Sequence, residues 1–162
     1  MKRAVLLIPI VLITLLFVSN KAGGLGIVKP VAVDVQEKIK HYASEWGLEA
    51  ALVKAIAKVE SNFNPRAKNP ADPSYGLMQI TPGLAYDYGL ISDHVNPSWL
   101  EIDIIYDVDN NLSIACWFLN RLSKYSFQQM VMSYNVGEGG YKDGRRNWDY
   151  LNKVEKYYES YS

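Results

Sequence analysis

A mainly α-helical fold is predicted by three features of this 162-residue sequence. Apolar residues return every three or four positions along most of the chain beyond residue 34. Helix-starting residues open these stretches, and glycine or proline closes them. No pair of alternating runs is joined by a hairpin turn, and no internal repeat is visible.

The chain opens with Met1-Lys2-Arg3, a positive start, followed from Ala4 to Val18 by an apolar stretch of about fifteen residues, short for a membrane span. Residues 1–21 read as a signal peptide. Because Ser19-Asn20-Lys21-Ala22 lacks a clean small-x-small cleavage site, an uncleaved N-terminal membrane anchor is the alternative. Residues 22–33, Gly-rich as far as Pro30, read as a linker, and a single domain is expected over residues 34–162. About 130 residues suffice for one hydrophobic core.

Within that domain Asp34-Val-Gln-Glu37 has the form of a capping box, and Val35, Ile39, Tyr42, Ala43 and Trp46 repeat at helical spacing until Gly47. A second helix runs from Leu48 to Glu60 and breaks before Pro65, which pushes Asn64 out of helical geometry. Thr81 to Gly89 makes a short helix with Pro82 in its first turn. Leu100, Ile102, Ile104 and Tyr106 alternate with Glu101 and Asp103, the pattern of a short extended segment. Asn110 to Lys124, Phe127 to Asn135 and Trp148 to Tyr158 complete the helices.

Seventeen basic and seventeen acidic residues balance, and no basic run occurs, which argues against nucleic acid as a partner. The single cysteine, Cys116, cannot form an internal disulfide and lies in the periodic stretch Leu112, Ala115, Cys116, Leu119, Leu122, as a buried core thiol would. His41 and His94 sit in unrelated contexts and assemble neither a metal site nor a base for a cysteine nucleophile, so no cofactor or metal is expected. Twelve tyrosines suit stacking on sugar faces, although many must be core. A monomer is the default expectation.

Glu60 is the residue on which chemistry turns. Counting back by four gives Ile56, Leu52 and Leu48, so the carboxyl continues an apolar ridge. Burial and the negative end of the helix dipole both disfavour its charged form. A rise in pKa from about 4.3 to about 6 would increase the protonated fraction at pH 7 from about 0.2% to about 9%. That is a general acid.

Around Glu60 stand further motifs: Glu-Ser-x-Phe-Asn-Pro at 60–65, Gly-Leu-Met-Gln-Ile at 76–80 and Tyr-Asn-x-Gly at 134–137. In this order and spacing they resemble the catalytic domain of soluble lytic transglycosylases, lysozyme-like enzymes that cleave bacterial peptidoglycan. Asp107-Val-Asp-Asn-Asn111-Leu112 and Tyr150-Leu-Asn-Lys153-Val154-Glu-Lys-Tyr157-Tyr158 extend the resemblance over residues 34 to 160. Three positions depart from the family pattern: Ser133 and Ala115 stand where Ala and Gly are usual, and Val108 where Pro is usual.

The resemblance implies a goose-type lysozyme or lytic-transglycosylase helical domain with a catalytic groove, and a peptidoglycan glycan strand as partner. It makes Glu60 the catalytic residue, first acid and then base, which answers the lack of a second carboxylate with a comparable signature. Asp72, Asp87, Asp93, Asp103, Asp107 and Asp109 read more simply as loop or cap residues. It also implies substrate-binding roles. Gly76 would let the backbone pass close to the sugar and Met78 would pack under it. Gln79 would offer its amide to the N-acetyl group or a hydroxyl. Tyr134 would hydrogen-bond to Glu60 or the substrate, Asn135 would brace the same wall, and Ser61 and Ser74 complete the set. The expected reaction cleaves the β-1,4 bond between MurNAc and GlcNAc and leaves a 1,6-anhydro-MurNAc end, in the periplasm or cell envelope. Two other readings stand beside it: a lysozyme-type muramidase, such as a phage endolysin, hydrolysing the same bond, and a non-catalytic peptidoglycan-binding module.

Overall fold

The computed structural model describes residues 34–162. The signal or anchor read in residues 1–21 and the linker of residues 22–33 lie outside the described residues.

Helix α1, Val35–Glu45, starts where the Asp34 carboxylate accepts from the backbone N–H groups of Gln36 at 2.9 Å and Glu37 at 3.3 Å. The reciprocal half of the expected box does not form, because the Glu37 carboxylate takes Lys40 Nζ at 2.6 Å. The chain then turns through Gly47, whose φ of +66° suits glycine, into α2, Ala50–Ser61. The start is two residues later than the periodicity predicts. Glu49 occupies the cap position without a side-chain cap bond, and its carboxylate accepts instead from Tyr158 Oη at 2.5 Å.

Helix α3, Pro82–Tyr88, begins at Thr81, whose hydroxyl accepts from Leu84 N at 3.2 Å, and ends at Gly89. The segment expected to be extended is instead α4, Trp99–Tyr106. Its first turn explains the reversal. The Ser98 hydroxyl accepts from Glu101 N at 3.3 Å while the Glu101 carboxylate accepts from Ser98 N at 2.9 Å, a reciprocal capping box that commits the segment to a helix. Only Ile105 of this helix is fully buried, so its alternating residues do not mark a sheet face.

Helix α5, Val108–Leu122, is capped by the Asp107 carboxylate, and α6, Phe127–Val136, by a capping box between Ser126 and Gln129. A short helix absent from the sequence expectation, α7, Glu138–Lys142, follows Gly137, and α8, Trp148–Tyr161, starts from the Asn147 side chain.

Helix α5 is the centre of the core. It buries Leu112, Ile114, Ala115, Cys116, Phe118, Leu119 and Leu122, and packs against α1, α3, α4 and α6. Each such fully buried Leu or Ile contributes about 1.5–3 kcal/mol. Cys116 is the core thiol the periodicity implies, pushed up to about 12 by burial. Helix α2 lies against α8 and α1, and α6 against α7 and α8, so the C-terminal end of α2 meets α8. Among the described residues no helix is long and apolar enough to cross a membrane.

Residues 67–80 form a tight loop rather than a sheet. Tyr75 and Ile80 exchange backbone hydrogen bonds at 3.0 Å, and Gly76 N donates to Ala67 O at 2.8 Å. Asn111, fully buried on α5, staples this loop to the core. Its Oδ1 accepts from Met78 N at 2.7 Å, and its Nδ2 donates to Tyr75 O and Ile105 O, each at 2.9 Å.

Candidate active site

Glu60 occupies the last turn of α2, one helical face with the buried Ile56 and Leu52. The helix ends there because Asn62 and Phe63 both adopt left-handed conformations, with φ of 54° and 64°, and Phe63 N reaches back to Ala57 O. The carboxyl thus faces a cleft of about 770 Å³. Burial pushes Glu60 up to about 7 from the ordinary 4.5, opposed only by the Tyr150 hydroxyl, which donates to Oε1 at 2.6 Å. Lys58, two residues earlier and on the other side of α2, does not offset this, and its ammonium bonds the Asn62 side chain near the Phe63 and Tyr157 rings. Glu60 is then far more readily protonated at neutral pH than an ordinary carboxyl group.

Tyr150 lies on α8, ninety residues further along the chain, and is almost fully buried. The sequence reading quoted it only as part of a closing motif. The bond expected from Tyr134 to Glu60 belongs to Tyr150. Tyr134 Oη instead donates to Met78 O at 2.9 Å, with its ring against Phe118. Tyr134 still lines the cleft, and burial together with the nearby Glu60 holds its phenol well above the usual range.

The other residues singled out from the sequence divide into two groups. Ser74, Gln79 and Asn135 line the cleft beside Glu60 and Tyr134. Ser61, Gly76 and Met78 do not line it. The Ser61 hydroxyl donates to Leu77 O at 2.7 Å and ties the end of α2 to the 67–80 loop. Gly76 is buried with φ +81°, and a Cβ there would meet Asn111 Nδ2 at 2.5 Å, so its glycine is demanded by Asn111 rather than by a sugar. Met78 has no exposed surface, and it supports the cleft floor from beneath through its backbone bonds to Asn111 and Tyr134.

Gln79 adopts φ +49°, a strained conformation for a non-glycine residue, held by its own amide. Its Nε2 donates to Gly76 O at 2.9 Å and Ala67 O at 3.2 Å, while its Oε1 accepts from the Ser74 hydroxyl at 2.9 Å. The carboxamide expected to greet a substrate is thus committed to shaping the loop. Asn135 is exposed, with Oδ1 accepting from Asn147 Nδ2 at 2.9 Å.

Several cleft residues were not singled out. Asp72 and Asp87, read as loop or cap residues, line it, as do Arg121, Glu138 and Arg145. Glu138 is held at about 2 by Lys124, Lys142 and the Tyr125 hydroxyl, so it is a fixed anion with its own counterions. Of the remaining aspartates, Asp93 accepts from Val95 N and Asn96 N, Asp103 pairs with Arg66, and Asp109 pairs with Lys38. Among the described residues no three His, Cys, Asp or Glu side chains gather as a metal site would require. The cleft therefore presents one near-neutral carboxyl group, Glu60, among hydrogen-bonding walls.

Comparison with known proteins agrees with this geometry. A family model described as the transglycosylase SLT domain matches residues 37–156. The soluble lytic murein transglycosylases of Escherichia coli strains K12 and O157:H7 are each 30% identical over 103 residues, which is 62% of this chain and 16% of theirs. The chain thus spans well under a fifth of the length of these curated relatives. Among solved structures, an inactive mutant of the lytic transglycosylase Slt from Pseudomonas aeruginosa superposes with a TM-score of 0.52 at 19% identity, over 80% of this chain and 22% of that one. That likeness is one of fold, and it makes the helical domain lysozyme-like, as the sequence implied.

Proposed function

The chain belongs to the transglycosylase SLT domain family, and from this premise we propose that it is a peptidoglycan lytic transglycosylase with Glu60 as its catalytic residue. The observation that carries the reading is the placement of the Glu60 carboxyl at the wall of a cleft, bonded by the Tyr150 hydroxyl and raised toward neutrality by burial. A carboxyl group poised there can give a proton and take one back within a turnover at neutral pH. Glu60 protonates the glycosidic oxygen between MurNAc and GlcNAc, and the C1–O bond breaks. The muramoyl C6 hydroxyl, already tethered to the reacting sugar, attacks C1 while Glu60 accepts its proton. The products are a GlcNAc hydroxyl end and a 1,6-anhydro-MurNAc end, and no water is consumed. Tyr150 steadies the charged form of Glu60 between the two steps. Ser74, Gln79, Tyr134 and Asn135 serve as the strand-facing wall, with Ser61, Gly76 and Met78 supporting it from behind.

Such a substrate lies outside the cytoplasm. Export through residues 1–21, with release into the periplasm or retention on the membrane, belongs to the same reading. A muramidase is the second reading, favoured by one observation: Asp72 and Asp87 share the cleft with Glu60, and either could direct a water molecule. The two are separated by mass spectrometry of fragments released from purified peptidoglycan by the full chain, beside a Glu60→Gln control. Anhydro ends that vanish in the control support the lyase. Reducing ends support the muramidase, and no release from the unmodified chain removes both.

A further inference from the structure

The two sides of the cleft are fixed in different ways. On one side the 67–80 loop is stapled into the core by the buried Asn111, which bonds Met78 N and Tyr75 O. The other side is carried by α7 and its flanks, where Gly137, Glu138, Gly139 and Arg145 line the cleft. Only Gly140 of α7 is fully buried.

Left to itself this segment has little to hold it. Five residues are far fewer than an isolated helix needs, and two of them are glycines. The chain enters through Gly137 and leaves through Gly144, both at positive φ, 76° and 90°. The backbone bonds of the segment close on itself: Tyr141 N donates to Gly137 O, Asp143 N to Gly139 O and Arg145 N to Gly140 O, each at 2.9 Å. Arg146 adds another internal bond, to Tyr141 O.

Among the described residues, the polar side-chain contacts that leave residues 137–146 converge on Glu138. Its Oε1 meets Lys124 Nζ and the Tyr125 hydroxyl, each at 2.9 Å, both from the corner between α5 and α6. Lys142 Nζ joins the same oxygen at 3.0 Å from the far end of α7. The Glu138 side chain is only 16% exposed, so this is a partly enclosed network rather than a single solvated pair. The Tyr125 ring also stands 6.4 Å from that of Tyr141, so the same corner receives the apolar side of α7. Glu60 is held separately, by α2 and by Tyr150 on α8. A displaced α7 would thus change the space open to a polymer and leave the acid where it is.

We propose that Glu138 is a positioning residue: by gathering Lys124, Tyr125 and Lys142 on one oxygen, it holds the α7 wall at the separation a bound glycan strand needs. This rests on reading the cleft as a glycan-strand site.

The test uses the full chain, its Glu138→Ala variant, and a charge-swapped variant that combines Glu138→Lys with Lys124→Glu. Hydrogen exchange reads the wall directly, at the amides of Tyr141, Asp143 and Arg145. Glu138→Ala should speed their exchange about tenfold and leave α5 unchanged. On solubilised glycan strands KM should rise about tenfold while kcat changes less than about threefold, the scale of a few coupled charge contacts. The alkaline limb of activity should stay in place, because burial and Tyr150 govern Glu60. The swapped pair should bring KM back toward that of the unmodified chain. Unchanged exchange at α7 overturns the proposal. So does faster exchange with an unchanged KM, and so does a fall in kcat that the swap does not rescue.

Binding separates this proposal from the reading it rests on. In the Glu60→Gln chain, Kd for the same glycan strands is measured with and without Glu138→Ala. A weaker Kd with faster α7 exchange, but no anhydro product from the unmodified chain, would sink the lyase and keep the role of Glu138. Anhydro product with Kd and exchange unaltered would do the reverse.

Discussion

Tyr150→Phe removes a single oxygen from the site, and its consequence can be worked from the geometry. The phenol donates to Glu60 Oε1 at 2.6 Å from a nearly fully buried position, and it is the one group pulling the Glu60 midpoint down against burial. A hydrogen bond to a charged group is worth about 1.5–3 kcal/mol, and about 1.4 kcal/mol moves a midpoint by one pH unit. The phenol also bonds the protonated acid, more weakly, so the net rise is about one pH unit above the starting value of about 7. A general acid is lost as pH rises through its midpoint. The alkaline limb of kcat/KM for anhydro-product release should therefore move up by about one unit in the variant. Stability follows the same sign. Glu60 is already raised above its ordinary 4.5, so its contribution is full below that value and falls as pH rises through about 7. In the variant the fall continues for another unit, and the stability gap from the unmodified chain should widen by about 1.4 kcal/mol between pH 6 and pH 9. Urea unfolding at the two pH values reads the gap. An alkaline limb that stays in place or moves down would refute the assignment of Tyr150 as the donor that governs Glu60.

Further substitutions test other parts of the structure. Glu60→Gln should lower activity by about two to four orders of magnitude and also stabilise the fold above pH 7 by up to ~3 kcal/mol, with no gain at pH 4, as unfolding at the two pH values would show. Asn111→Ala strands Met78 N, Tyr75 O and Ile105 O in the core and should cost about 3–4 kcal/mol in unfolding free energy. Ser133→Ala removes a fully buried hydroxyl that has no hydrogen-bond partner among the described residues, so the melting temperature should rise, corresponding to about 1 kcal/mol, and a fall would mean that the hydroxyl is bonded in solution.

The sequence made legible whatever is encoded within a turn or two. Asp34, Pro82 and Gly89 marked helix ends, and the spacing of Leu52, Ile56 and Glu60 placed a carboxyl group beside the core. The alternation over Leu100–Tyr106 misled because a strand pattern and a short, half-exposed helix share it. The Ser98–Glu101 capping box was the local signal that could have decided between them. Helix α7 escaped because five residues containing two glycines carry no periodicity. What could not be read was long-range: Tyr150 meets Glu60 across ninety residues, and Asn111 reaches Met78 across thirty-three. That Gly76 and Met78 sit behind the cleft wall rather than on it was hidden for a related reason. A motif preserves residue identities but not directions, and here the buried Asn111 rather than the cleft dictates both positions.

The most direct test of the single-carboxyl mechanism is to digest peptidoglycan with the full chain in ¹⁸O-enriched water and weigh the new muramoyl ends. Because the muramoyl C6 oxygen is the nucleophile, those ends should be anhydro and free of label. Incorporation of ¹⁸O at muramoyl C1 during the reaction would contradict the mechanism and make the protein a hydrolase that directs water, with Asp72 and Asp87 the first residues to substitute.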